Sequence, residues 1–253
     1  MRQSTMFRNW QFLLLPLSFV ALASLSVLAQ GNQTGGMSVL YDPKLETPLP
    51  KLEPKLVARI IKDLRAFPVF KDMRTDGSCS SRGEFEPWPS PPVVAVAKGS
   101  FTRSKSDQVL YIIEPCTGPL AGDMTPTAVL VYEKEKLVSV FRFSSTIIFT
   151  GFREGFSVRD IDQNGLSELA VVMSGGDGCG GWTNLHLIQW KSQQPFPFGT
   201  LNVASVGCGS STEYTLYVNK ATTPTFVGAE YGRDLKLTLL KLEKPSITIT
   251  TLR

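Results

Sequence analysis

A chain of 253 residues that is 42% apolar and 19% charged is long enough for a sizeable core and too apolar to stay disordered. Its Pro and Gly content, 17 and 21, with β-branched and aromatic residues in short runs, argues against a helical bundle and for many short strands joined by turns. The formal charge of +4 gives no sign of a nucleic-acid binder, and the single histidine, His186, excludes a His-rich metal cluster and any mechanism that needs two imidazoles.

Residues 1–29 have the layout of a secretory signal peptide. Arg2 and Arg8 precede the apolar run FLLLPLSFVALASL, and Val27 and Ala29 fit the −3 and −1 positions of a cleavage site. The run is shorter than the ~20 residues of a spanning helix and contains Pro16. Cleavage after Ala29, a secreted or periplasmic location and no stable membrane insertion are therefore expected. In such a compartment Cys79, Cys116, Cys179 and Cys208 are expected to form disulfides. Of the three pairings, Cys79–Cys116 with Cys179–Cys208 is preferred, because each then closes within one neighbourhood of the repeats described below. No CxxC spacing supports zinc.

Residues 30–53, rich in Gly, Pro, Asn and Gln, read as a flexible linker. Pro54 then opens KLVARIIKDLRAF, where Leu56, Val57, Ile60, Ile61 and Leu64 recur at helical spacing. This amphipathic helix and the Gly/Ser/Pro-rich loop after it form a cap over 54–92. A membrane-surface helix has a similar stripe, but Asp63 on the polar face and the lack of Trp favour packing on the main domain.

From residue 93 to 253 the chain changes to short apolar or alternating runs, from VVAVA through ELAVVM and NLHLIQW to SITITTL, which are predicted strands. A repeat is visible within them. Phe101, Gln108, Val109 and Tyr111 overlie Ile161, Glu168, Leu169 and Val171 at an offset of 60, and Tyr132 overlies Trp190 at an offset of 58. Repeats near this period suggest propeller blades or arrays.

The second copy contains DIDQNGLSEL, beginning at Asp160. Asp160, Asp162 and Asn164 supply side-chain oxygens at positions one, three and five, and Gly165 permits a sharp turn. Leu166 can offer a carbonyl and Glu168 a further carboxylate. Hard oxygen donors in one short loop suit Ca²⁺ better than Mg²⁺. An EF-hand would need flanking helices and an acid at position twelve, which is Val171. The competing reading is a solvated turn neutralised by Arg153 or Arg159.

The segment VRDIDQNGLSELAVV resembles the FG-GAP or VCBS-type repeat of integrin α-subunit propellers and of secreted bacterial proteins, whose loop has the form DxDxNGxx[DE]L before a hydrophobic strand. The resemblance implies a propeller-like blade, calcium held by Asp160, Asp162, Asn164, the Leu166 carbonyl and Glu168, and a role in adhesion or recognition. The first copy has Ser100, Thr102 and Ser104 at the acidic positions, so no calcium is assigned to it. Residues 93–253 hold fewer than three 60-residue units. An all-β fold is expected, either propeller-like blades or an open stack of antiparallel sheets capped by the one helix.

Other candidates are weaker. The glycine-rich run SGGDGCGG lacks the Lys and following helix of a phosphate loop and reads as a hairpin loop. Trp182, Trp190, Phe196 and Phe198 could line a sugar-binding face, but at strand spacing such aromatics more often fill a core. The expected function is thus a secreted calcium-binding recognition module without catalysis, its partner an extracellular protein or glycan. The alternative is a carboxylate-dependent glycan-acting enzyme, for which Asp177 and Glu213 are the nominated acids, or a glycan-binding protein.

Overall fold

The computed structural model describes residues 36–71 apart from 46 and 49, 93–114, 127–145, 150–177, 180–231 and 234–252. The expected leader, the loop after the helix, and Cys79, Cys116 and Cys179 lie outside the described residues. In chain order come β1 (Ser38–Tyr41), α1 (Pro54–Arg65), a 3₁₀ turn (Pro68–Phe70), β2 (Val93–Gly99), β3 (Gln108–Ile113) and β4 (Thr127–Glu133). Then follow β5 (Lys136–Ser145), β6 (Thr150–Arg159), β7 (Ser167–Asp177), β8 (Gly180–Lys191) and β9 (Gln194–Gly207). The last four strands are β10 (Ser210–Asn219), β11 (Thr225–Tyr231), β12 (Leu235–Leu240) and β13 (Ile247–Thr251).

All the pairings are antiparallel, in one sheet of order β13-β5-β4-β3-β2 and another of order β12-β11-β10-β9-β8-β7-β6 with β1 beside β10. Neither sheet closes on itself. The larger sheet divides at β10, whose residues 210–213 pair with β9 while residues 214–219 pair with β11. Three ladders result: β2–β5 with β13, then β6–β9, then β1 with β10–β12.

Alternation along β7 shows how the ladders stack. Leu169, Val171 and Met173 join Ala97, Phe101, Leu110, Ile112, Val129 and Phe141 in one core. Ala170 and Val172 point the other way, into a second core with Leu40, Leu187, Val203, Leu216 and Phe226. A ladder buried on both faces must be apolar at successive positions, which explains the unbroken runs ELAVVM and NLHLIQW. The outer face of the first sheet, through Tyr111, Ile113, Leu130 and Tyr132, is covered by Ile60 and Leu64 of α1 and by Phe70. The helix therefore caps the stack, as its apolar stripe predicts, and the Tyr132 hydroxyl donates to Asp63 at 2.7 Å across that contact.

Two local findings refine the sequence reading. The stretch 30–53, expected to be a linker, contains β1, whose Leu40 and Tyr41 are buried. Four residues are too few to show a strand period amid Gly and Pro, and it is the pairing with β10 that orders them. The repeat is also present in the backbone. The β4–β5 hairpin turns at Lys134 and Glu135 with φ of 47° and 66°, and the β8–β9 hairpin turns at Ser192 and Gln193 with φ of 51° and 65°. Both are two-residue turns in the left-handed region, which matches the twist of the flanking strands.

Cys208 sits in the β9–β10 turn and is disulfide-bonded, its partner lying outside the described residues. Gly181 and Val206, each two residues from one of the expected partners in the sequence, face each other on the neighbouring strands β8 and β9. Peptide mapping under non-reducing conditions is expected to recover a Cys179–Cys208 linkage. A Cys116–Cys208 or Cys79–Cys208 peptide would refute it.

Candidate metal centre

The loop between β6 and β7 brings three of the expected ligands together. Oxygen atoms of Asp160, Asp162 and Glu168 all lie within 4.8 Å of one another. Left-handed backbone makes this convergence possible, with φ of 46° at Asp160, 60° at Gln163 and 85° at Gly165, the last being the position where glycine is expected. Backbone N–H groups then turn inward. Gly165 donates to Asp160 Oδ1 at 3.0 Å, Asn164 to Asp162 Oδ1 at 3.2 Å, and Ile161 to Glu168 Oε2 at 3.0 Å.

These donors leave one acceptor without a partner. Glu168 is 1% exposed, and its Oε1 is buried with no hydrogen bond. Burial pushes the Glu168 carboxyl up to about 8; the Ile161 N–H opposes that rise, and the charges of Asp162 and Asp160 add to it. A buried carboxylate with one unpaired oxygen, in a group with two further carboxylates, is costly unless a proton or a cation joins it. Such a donor set fits a hard cation.

The other expected ligands behave differently. Asn164 Nδ2 donates to Asp162 Oδ2 at 2.8 Å, and its Oδ1 accepts the Leu166 N–H at 2.7 Å, which shapes the turn and leaves that oxygen a second lone pair. The half-buried Leu166 side chain packs against the first core. The ion pairs among the described residues include Arg59–Glu135, Arg103–Glu133 and Lys236–Glu230, and none of these joins Arg153 or Arg159 to the loop acids.

Gln189 on β8 is a participant that loop spacing does not reveal. Its Nε2 donates to Asp162 Oδ2 at 3.0 Å. It lies 27 residues from Asp162, and only the β7–β8 register, with Leu169 facing Ile188, brings it beside the loop. The β10–β11 turn also docks here, through Ala221 N–H to the Ile161 carbonyl and Lys220 Nζ to the Arg159 carbonyl.

The first repeat supplies an internal comparison. Gln108, fully buried, occupies the place of Glu168, and its Oε1 accepts the Phe101 N–H at 2.9 Å just as Glu168 accepts that of Ile161. Here no oxygen is orphaned. Gln108 Oε1 also takes the Thr102 N–H, and its Nε2 donates to Thr102 Oγ1 at 2.7 Å and to Glu133 Oε2 at 3.3 Å. The amide NH₂ thus stands where a cation would be needed in the second repeat. The two loops are neighbours, since Ser167 N–H donates to the Ser100 carbonyl at 2.9 Å and a Cβ on Gly165 would lie 3.0 Å from Ser104 Oγ.

Among the described residues the remaining candidates do not assemble a second site. Trp190 is buried against Phe101 and Phe141, which withdraws it from any sugar-binding face; Phe198 packs on the second core, and Trp182 and Phe196 are half-buried. The glycine-rich run is a hairpin in which Asp177 pairs with Gly180. Glu213 is exposed, and the Asp177 side chain lies outside the described residues. His186 is buried, with Nδ1 3.0 Å from Thr200 Oγ1. Comparison with family models, with curated proteins and with solved structures gives no match.

Proposed function

We propose that the protein is an exported recognition or adhesion module of the FG-GAP/VCBS type, without catalysis, in which Ca²⁺ held by the 160–168 loop stiffens the stacked sheets. The observation that carries this reading is the cluster of Asp160, Asp162 and Glu168, in which the buried Glu168 keeps one oxygen without a partner. Two features support it further: the loop follows the DxDxNGxx[DE]L pattern, and the equivalent loop of the first repeat has exchanged its acid for an amide that satisfies itself. Asp160, Asp162 and Glu168 supply the charged oxygens, Asn164 and the Leu166 carbonyl the neutral ones, Gly165 permits the turn, and Gln189 orients Asp162. A cation there ties β6 and β7 to the β10–β11 turn that docks on the same loop, so the ion acts on the cohesion of the stack. Its partner is an extracellular protein or glycan.

The test is a thermal melt in calcium and in chelator, under non-reducing conditions. Extracellular sites of this kind bind with dissociation constants near 10⁻⁴ to 10⁻³ M, so ~2 mM Ca²⁺ is worth about 0.6–1.8 kcal/mol. Asp162→Ala is expected to abolish the calcium-dependent rise, and Ser104→Ala in the first loop to preserve it. A wild-type melt that chelator leaves unmoved would overturn the reading.

A further inference from the structure

The first two ladders pack against α1 or the next ladder and expose single apolar residues, Val138 and Val206, but the outer face of the third carries an exposed apolar stripe. Leu235, Leu237 and Leu239 on β12 are 60%, 63% and 75% exposed. Leu239 lies opposite Val227, which lies opposite Tyr217, which lies opposite Val39, itself 43% exposed. The stripe therefore continues as an apolar row across the ladder. Contiguous surfaces of this kind on an exported β-protein mark contact sites.

β12 is also the last strand of its sheet, and among the described residues nothing pairs with its outer edge. Exposed edges are normally blunted by proline, by a bulge or by an outward charge. β12 has no proline, and its pairing with β11 runs without a bulge from Leu235 to Leu240. Its one lysine, Lys236, leans back toward Glu230 on β11, 4.0 Å away.

The strand is complementary to itself. We infer that two copies of the chain pair antiparallel through β12, with Leu237 facing Leu237 of the second copy on a two-fold axis. In that register Leu235 meets Leu239, Lys236 meets Thr238, and the two leucine stripes merge on one face. The adjacent registers are worse. One sets Lys236 against Lys236, a like-charge pair directly opposite, and the other sets Leu235 against Lys241. The ladder of each copy then continues into that of the other, a closed isologous contact. A six-residue edge is only about 20 Å long, so the contact is smaller than the ~800 Å² per partner of a standard interface, and pairing is expected in the micromolar range.

Sedimentation of the mature protein in calcium across about 1–100 µM tests this. A concentration-dependent shift from monomer to dimer is expected, and Leu237→Lys, at an exposed position that leaves the fold intact, is expected to hold the protein monomeric throughout. Register is tested by cysteine pairing. Directly opposed residues of antiparallel strands lie within disulfide reach. Leu237→Cys is thus expected to give a covalent dimer on mild oxidation, and Leu239→Cys alone is not, because it faces Leu235. A wild type that stays monomeric at 100 µM, or equal cross-linking of the two variants, overturns the proposal.

Discussion

Replacing Gln108 by Glu is expected to lower stability by about 3 kcal/mol, because it breaks the amide's donation to Thr102 and Glu133 and leaves a buried carboxyl 3.3 Å from another. The new group cannot ionise cheaply beside Glu133, and Arg103 already pairs with that residue. The reciprocal change should act in the opposite direction. In Glu168→Gln the new NH₂ faces Asp162, which stands where Thr102 stands in the first repeat. In chelator this variant is expected to melt above wild type, with calcium no longer raising its melting temperature. Chemical denaturation of both variants, with and without calcium, measures the two effects. Equal and small losses in both would show that the two loops are not electrostatic counterparts.

The second large effect concerns acid. His186 lies on β8 between Leu185 and Leu187, facing Val171 and Thr200, with its Nε2 buried and unpaired. Burial pulls its pKa down from 6.5 to about 4. The unfolded chain therefore binds a proton that the folded chain refuses between those values. The stability contributed by neutral His186 is fully present above pH 6.5, falls as pH drops toward 4, and levels off below that. The loss is about 3 kcal/mol. His186→Asn removes the titrating group, so the difference in unfolding free energy between wild type and variant should change with one-proton slope over pH 4–6.5. A difference that stays flat over that range would mean the imidazole is protonated inside the fold without penalty.

How much of this was legible before the structure depends on how local each signal is. The loop acids could be read because Asp160, Asp162 and Glu168 fall at the spacing that a turn with left-handed Gln163 and Gly165 folds onto one point. The helix could be read because Ile60 and Leu64 repeat on one face and Pro54 marks its start. Gln189 could not, since a β8 residue reaches Asp162 only through strand register, which one sequence does not specify. Nor could β1, where SVLY is too short to alternate and becomes a strand by pairing with β10. The meaning of Gln108 was half visible. Its alignment with Glu168 showed an amide in place of an acid, but only the donation of its Nε2 to Thr102 and Glu133 shows how that amide is satisfied. Trp190 shows the reverse case, an aromatic that strand spacing leaves ambiguous and that its contacts with Phe101 and Phe141 assign to the core.

The most direct test of the ion site is a calorimetric titration of calcium into chelator-stripped protein, run on wild type and on Glu168→Gln. The expected result is one ion per chain for wild type, with a dissociation constant near 10⁻⁴ to 10⁻³ M, and no binding by the variant. A wild type that takes up no calcium at millimolar concentration, or a variant that binds it as wild type does, would contradict the assignment of Glu168 and its neighbours as the metal centre.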